Sequence, residues 1–106
     1  MQSYTKEYLT QFGYHETDFV PCECCEKKAT EIHHLLGRKG DLLNDIKNLM
    51  AICRKCHEDY GQVKEFMCYL LKIHIRRLQL ANIPFNNDWF EFYINKYSIY
   101  ESDLQE

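Results

Sequence analysis

The chain has 106 residues, of which 45% are hydrophobic and 27% charged, with a formal net charge of −3. This is the composition of a soluble globular protein, long enough for one modest core but marginal without a staple. It excludes collagen-like, low-complexity and disulfide-scaffold classes. No apolar run approaches a membrane span, and Met1-Gln2-Ser3-Tyr4-Thr5-Lys6-Glu7 lacks the basic start and apolar stretch of a signal peptide. A cytoplasmic location (bacterial or infected-host cytosol) is therefore expected. The six cysteines should then be reduced, and read better as metal ligands than as disulfides.

Charge is unevenly spread. All basic residues except Lys6 and Lys96 fall between residues 22 and 80, so acidic ends flank a mildly basic centre. Any phosphate-binding surface must therefore lie in that centre.

In chain order, Tyr4, Tyr8, Leu9 and Phe12 fall at helical spacing, closed by Gly13. Thr30-Glu31-Ile32-His33-His34-Leu35-Leu36 reads as a strand followed by turn chemistry at Gly37-Arg38-Lys39-Gly40-Asp41. Leu49-Met50-Ala51-Ile52-Cys53 fits a buried strand. From Gln62 to about Leu80 the pattern is helical, with Val63, Phe66, Met67, Leu70, His74 and Leu78 on one stripe. Pro84 breaks the chain. Asp88, with Glu91 three residues on, then predicts a capping box for the aromatic helix Trp89–Tyr97. Its rings are read as core, with a docking surface for a second copy or a protein partner as the alternative.

Cys22-Glu23-Cys24-Cys25 and Cys53-Arg54-Lys55-Cys56 contain two C-x-x-C pairs. Each suits a turn that aims two thiolates at one ion, and two such turns make a closed tetrahedral zinc site from Cys22, Cys25, Cys53 and Cys56. Such a site is structural and supplies stability that a chain this short needs. Cys24 can replace Cys22 or Cys25, although C-x-C is the rarer geometry, and is read as a spare thiol. Cys68 is read as a small core residue. His15 is expected on the surface. His74 is expected as a satisfied core histidine or, with Arg76 and Arg77, as part of a nucleic-acid groove.

His33, His34 and His57 remain as ligands or proton carriers, since imidazole binds metal or, when neutral, accepts a proton near pH 7. The order His33-His34, Asn48, His57, interleaved with the four cysteines over about Cys22 to Tyr60, resembles the zinc-containing branch of the HNH endonuclease family. The resemblance implies an α+β fold. Its small ββα-metal core would carry the structural zinc and added N- and C-terminal helices. It would be a single domain with an N-terminal helical segment (1–21), the zinc and HNH core (22–61) and C-terminal helices (62–106).

The resemblance also implies roles. His34 would be the general base, His33 and His57 the ligands of one catalytic divalent ion, and Asn48 the brace of the strand that bears His34. One helical turn beyond His57, where some members carry a further histidine, stands Gly61. Two protein ligands suit loosely bound magnesium or manganese better than tight zinc. Arg38 and Lys39 are candidates for DNA phosphate contacts, or else solvated loop cations. The expected activity is hydrolysis of DNA phosphodiester bonds, by nicking or by double-strand cleavage as a dimer, and the compact layout suits a phage or mobile-element protein. The alternative is a catalytically silent HNH-fold module that binds DNA or inhibits a protein partner.

Overall fold

The computed structural model describes the backbone of residues 1–104 and the side chains of residues 1–101. Helix α1 (Ser3–Phe12) ends where Gly13 turns left-handed at φ 76° and its N–H reaches the carbonyls of Leu9 and Thr10. Glycine adopts that conformation at little cost, which is why the helix stops there.

Strands β1 (Glu31–His34) and β2 (Leu49–Ile52) form a two-stranded antiparallel sheet, with His33 opposite Met50 and His34 opposite Leu49. All four residues of β2 are buried. The period-two alternation of a strand explains why. Leu49 and Ala51 join Tyr8 of α1 in one apolar cluster, while Met50 and Ile52 enter a larger one on the opposite face. That larger cluster includes Leu70, Leu71, Leu78 and Phe90. Both faces of β2 are thus covered, so its sequence is continuously apolar.

After β2 a single helical turn, α2 (Arg54–Cys56), runs into a π-helical turn at His57–Gly61. The expected helix from Gln62 starts later. Val63 is extended (φ −106°, ψ 114°), a 3-10 turn follows at Lys64–Phe66, and α3 spans Met67–Leu80. Helix α4 (Asn87–Tyr97) is capped by Asn86, whose side-chain oxygen accepts the Asp88 N–H at 2.9 Å. Asp88 therefore lies in the first turn, and Glu91 accepts from the Asn87 side chain at 3.1 Å instead of closing a capping box. Two good capping residues stand two positions apart, and the earlier one takes the role.

The aromatic helix divides as its period dictates. Phe90 is fully buried, with Phe85 and Trp89 edge-on at 5.2 and 5.0 Å between ring centroids, whereas Phe92 is 62% exposed. Among the described residues no helix is long and apolar enough to cross a membrane.

Candidate functional site

The two cysteine turns meet at one point. The first is closed by the Cys22 N–H on the Lys27 carbonyl (2.6 Å) and the Glu26 N–H on the Cys22 carbonyl (2.8 Å). The second opens α2, where Cys53 Sγ accepts the Cys56 N–H at 3.4 Å. That amide, countered in part by burial, pulls the Cys53 thiol down to about 7.

The four sulfurs of Cys22, Cys25, Cys53 and Cys56 all lie within 4.8 Å of one another, and Cys25 and Cys53 are 3.7 Å apart. Tetrahedral zinc with Zn–S bonds of about 2.3 Å requires sulfur–sulfur edges of about 3.8 Å. A disulfide requires about 2.05 Å, and all six cysteines are free. The four cysteines are positioned to hold a metal ion, consistent with structural zinc. Cys24 stands outside the cluster, its thiol pushed up to about 12 by burial and by Cys22 beside it. Cys68 is buried, its thiol against the Ile94 carbonyl at 3.2 Å.

Between Cys22 and Cys24, Glu23 turns inward. Its carboxylate accepts from Tyr8 of α1 (2.7 Å) and lies 2.8 Å from His74 Nδ1 on α3, while His74 Nε2 faces the Ile46 carbonyl at 2.7 Å. Burial alone would lower the His74 pKa. The Glu23 charge and hydrogen bond, with the Ile46 carbonyl, outweigh it and hold the value above the ordinary one. With an oxygen at each ring nitrogen, the surroundings of His74 favour its doubly donating, protonated form. Burial and the neighbouring Glu23 charge likewise raise the Tyr8 hydroxyl. His74 is thus a satisfied core histidine and does not reach the cleft described next. The sequence reading missed Glu23, because a glutamate inside a cysteine turn is ordinarily solvated.

Across the sheet, His33, His34 and His57 line one cleft of about 320 Å³, together with Arg38, Lys64 and Tyr97. Lys39 is exposed and does not line it. Strict alternation would send His33 and His34 to opposite faces. Yet both residues, at the end of β1, line the same cleft. The His33 and His57 ring centroids are 4.7 Å apart. Burial, then the adjacent His57 and His34, drives the His33 pKa down to about 4, which keeps its imidazole neutral.

His57 Nδ1 donates to Glu31, which also pairs with Arg54 at 3.0 Å. The His57 bond, aided by Arg54 and opposed by burial, holds the Glu31 carboxyl below its usual range. With Nδ1 committed to Glu31, Nε2 is the nitrogen that could face a metal, the arrangement typical of a metal-binding histidine oriented by a carboxylate. Glu31 was legible in principle, since it stands two residues before His33 and so shares its face of the strand. Gly61 lies directly under the rings: a Cβ there would collide with His57 Cδ2 and stand 3.4 Å from His33 Cε1.

His34 Nε2 lies 3.0 Å from the Leu43 carbonyl and is therefore the protonated nitrogen. Burial lowers its pKa, with Leu43 opposing and Arg38 adding to the effect. Among the described residues, His33 Nε2 and His34 Nδ1 are both buried with no hydrogen-bond partner. A buried orphan costs about 1–3 kcal/mol, and such groups mark places where an ion or water belongs.

Asn48 is the opposite case. Its side chain accepts from the Leu36 N–H (2.7 Å) and donates to the carbonyls of Gly37 (2.8 Å) and Leu42 (2.9 Å). Fully buried, it ties both ends of the loop after β1.

A family model described as HNH endonuclease matches residues 22–62. No curated protein and no solved structure matches the chain. Residues 22–62 thus carry the match to the HNH endonuclease domain, and the four cysteines among them fit its zinc-bearing branch.

Proposed function

We propose that this protein is a metal-dependent endonuclease that hydrolyses DNA phosphodiester bonds, with Cys22, Cys25, Cys53 and Cys56 holding a structural zinc. The observation that carries the reading is the pair of orphaned nitrogens, one on each of two adjacent histidines, in a cleft bordered by Arg38. Buried polar atoms in a folded core are otherwise satisfied, so these two are best explained by ligands that belong to the reaction.

His34 is the general base. With Nε2–H given to Leu43, Nδ1 is free to take a proton from water as the water oxygen bonds to phosphorus. The bond from phosphorus to the 3′ oxygen breaks in the same displacement. His33 Nε2 and His57 Nε2 would hold a magnesium or manganese ion, which would supply a Lewis acid for the charge on the phosphate and the leaving oxygen. Glu31 orients His57, and Asn48 keeps the loop and His34 in register. Arg38 is placed for a contact to the phosphate backbone, and Lys39, farther out, for a weaker one. A single site cuts one strand, so a double-strand break needs two nicks or a dimer. Reduced thiol ligands suit a cytosolic setting.

The exposed Phe92 of the acidic, aromatic C-terminal segment favours a second reading, a catalytically silent HNH-fold module that binds DNA or inhibits a protein partner. Supercoiled plasmid incubated with zinc-loaded protein and magnesium or manganese decides between them. The wild type is expected to nick and His34→Ala to lose nicking. A folded, zinc-loaded wild type that leaves plasmid intact with both ions sinks the enzyme reading.

A further inference from the structure

Helix α1 precedes the matched residues 22–62, yet it touches one of the histidines of the cleft. Its Tyr4 ring meets the His34 ring edge to face, with centroids 4.6 Å apart, and the Arg38 guanidinium lies over the same Tyr4 ring at 5.2 Å. The helix cannot slide easily. Ser3 Oγ donates to Asn44 at 2.9 Å on the loop between the strands, and Tyr8 is hydrogen-bonded to Glu23 inside the cysteine turn. Tyr4 also borders a second opening, with Glu31, Arg38 and His57.

The geometry of His34 shows what this contact does. The hydrogen bond from Nε2 to Leu43 selects which edge of the imidazole faces that carbonyl, but one bond leaves the ring free to rock about it. A flat aromatic ring set against it removes that freedom.

We infer that Tyr4 is a positioning residue that locks the ring plane of the base His34, so that an element outside the HNH domain sets the base's geometry. The inference rests on the nuclease reading for its kinetic consequence, though not for the ring contact itself. Misplacing a reacting group by about 1 Å costs up to about 100-fold in rate, so a rocking base is expected to be costly.

The test uses the full zinc-loaded chain with Tyr4→Phe and Tyr4→Leu. Phe keeps the ring, and should keep the nicking rate within about twofold. Leu should lower the maximal rate about tenfold or more, while DNA affinity stays nearer wild type than in Arg38→Ala. In nitrogen-correlated spectra, His34 should show one Nε2-protonated ring in the wild type and Tyr4→Phe, and exchange-broadened ring signals in Tyr4→Leu. Unchanged His34 signals and rate in Tyr4→Leu overturn the inference. If Leu prevents folding, the wild type still decides: ring-to-ring proton contacts between Tyr4 and His34 are required, and their absence overturns it. If the wild type does not nick while the His34 signals still change in Tyr4→Leu, the nuclease reading fails and the positioning role stands.

Discussion

His74 and the pair His33–His34 are all imidazoles withdrawn from solvent, 0%, 5% and 7% exposed respectively. They are built in opposite ways. Around His74 each nitrogen has an acceptor, and Glu23 gathers α1, β2, α3 and the first cysteine turn about one carboxylate. Around His33 and His34 each ring keeps one nitrogen with no partner among the described residues, although the neighbouring backbone is tied down by Asn48. The difference teaches that burial by itself does not mark function. A satisfied buried histidine fastens the fold, whereas an orphaned one held on a rigid frame is left open for chemistry.

The largest expected effect removes what both regions share. Stripping the metal from the four cysteines, or Cys56→Ser, should unfold the chain. Zinc at comparable peptide sites contributes about 10–16 kcal/mol, as large as the whole stability of a typical domain, about 5–15 kcal/mol. Unchanged far-UV circular dichroism and melting after chelation would show that the cluster holds no structural ion.

Next, the two histidine regions should respond to mutation in opposite senses. Glu23→Ala strands a buried imidazolium and should cost about 3–5 kcal/mol in denaturant melts. His34→Ala should cost less than about 1.5 kcal/mol, the lost bond to Leu43, while lowering the nicking rate about 10²–10⁴-fold. If the stability losses were reversed, the division between fastening and working histidines would collapse.

Gly61→Ala sharpens the comparison further. Its Cβ would push the His57 ring out of place. Overpacking of this kind costs about 1–3 kcal/mol, and metal-dependent nicking should drop more steeply than melting. A variant as active as wild type would mean that the ring position is immaterial.

The smallest effect is the pH dependence of the His74–Glu23 pair. The folded-state pKa of His74 is raised above its unfolded value of about 6.5. Its stabilisation is therefore full below about pH 6.5 and is lost as pH rises through the folded value. The melting difference between wild type and His74→Gln should shrink from pH 6 toward alkaline pH. A difference that grew in that direction would mean His74 is neutral in the fold.

Much of this was legible in the sequence, for physical reasons that differ by residue. The C-x-x-C spacing translates directly into turn geometry, so the four-sulfur cluster could be read without a fold. Gly13 ended α1 because only one backbone conformation was at stake there. The start of α3 was misread because an apolar stripe keeps its period across a 3-10 turn, while the backbone at Val63 does not. Glu23, Tyr4 and Gly61 acquire their roles through contacts with residues distant in the chain or through a close approach of rings. Local pattern carries no signal for such contacts.

The central claim is that His33 and His57 are held open for a catalytic divalent ion distinct from the zinc. Calorimetric titration of manganese into zinc-loaded wild type, His33→Ala and His74→Gln tests it most directly. One manganese site in the wild type and in folded His74→Gln, abolished in His33→Ala, is the predicted result. No binding in the wild type, or equal binding in His33→Ala, would contradict the account.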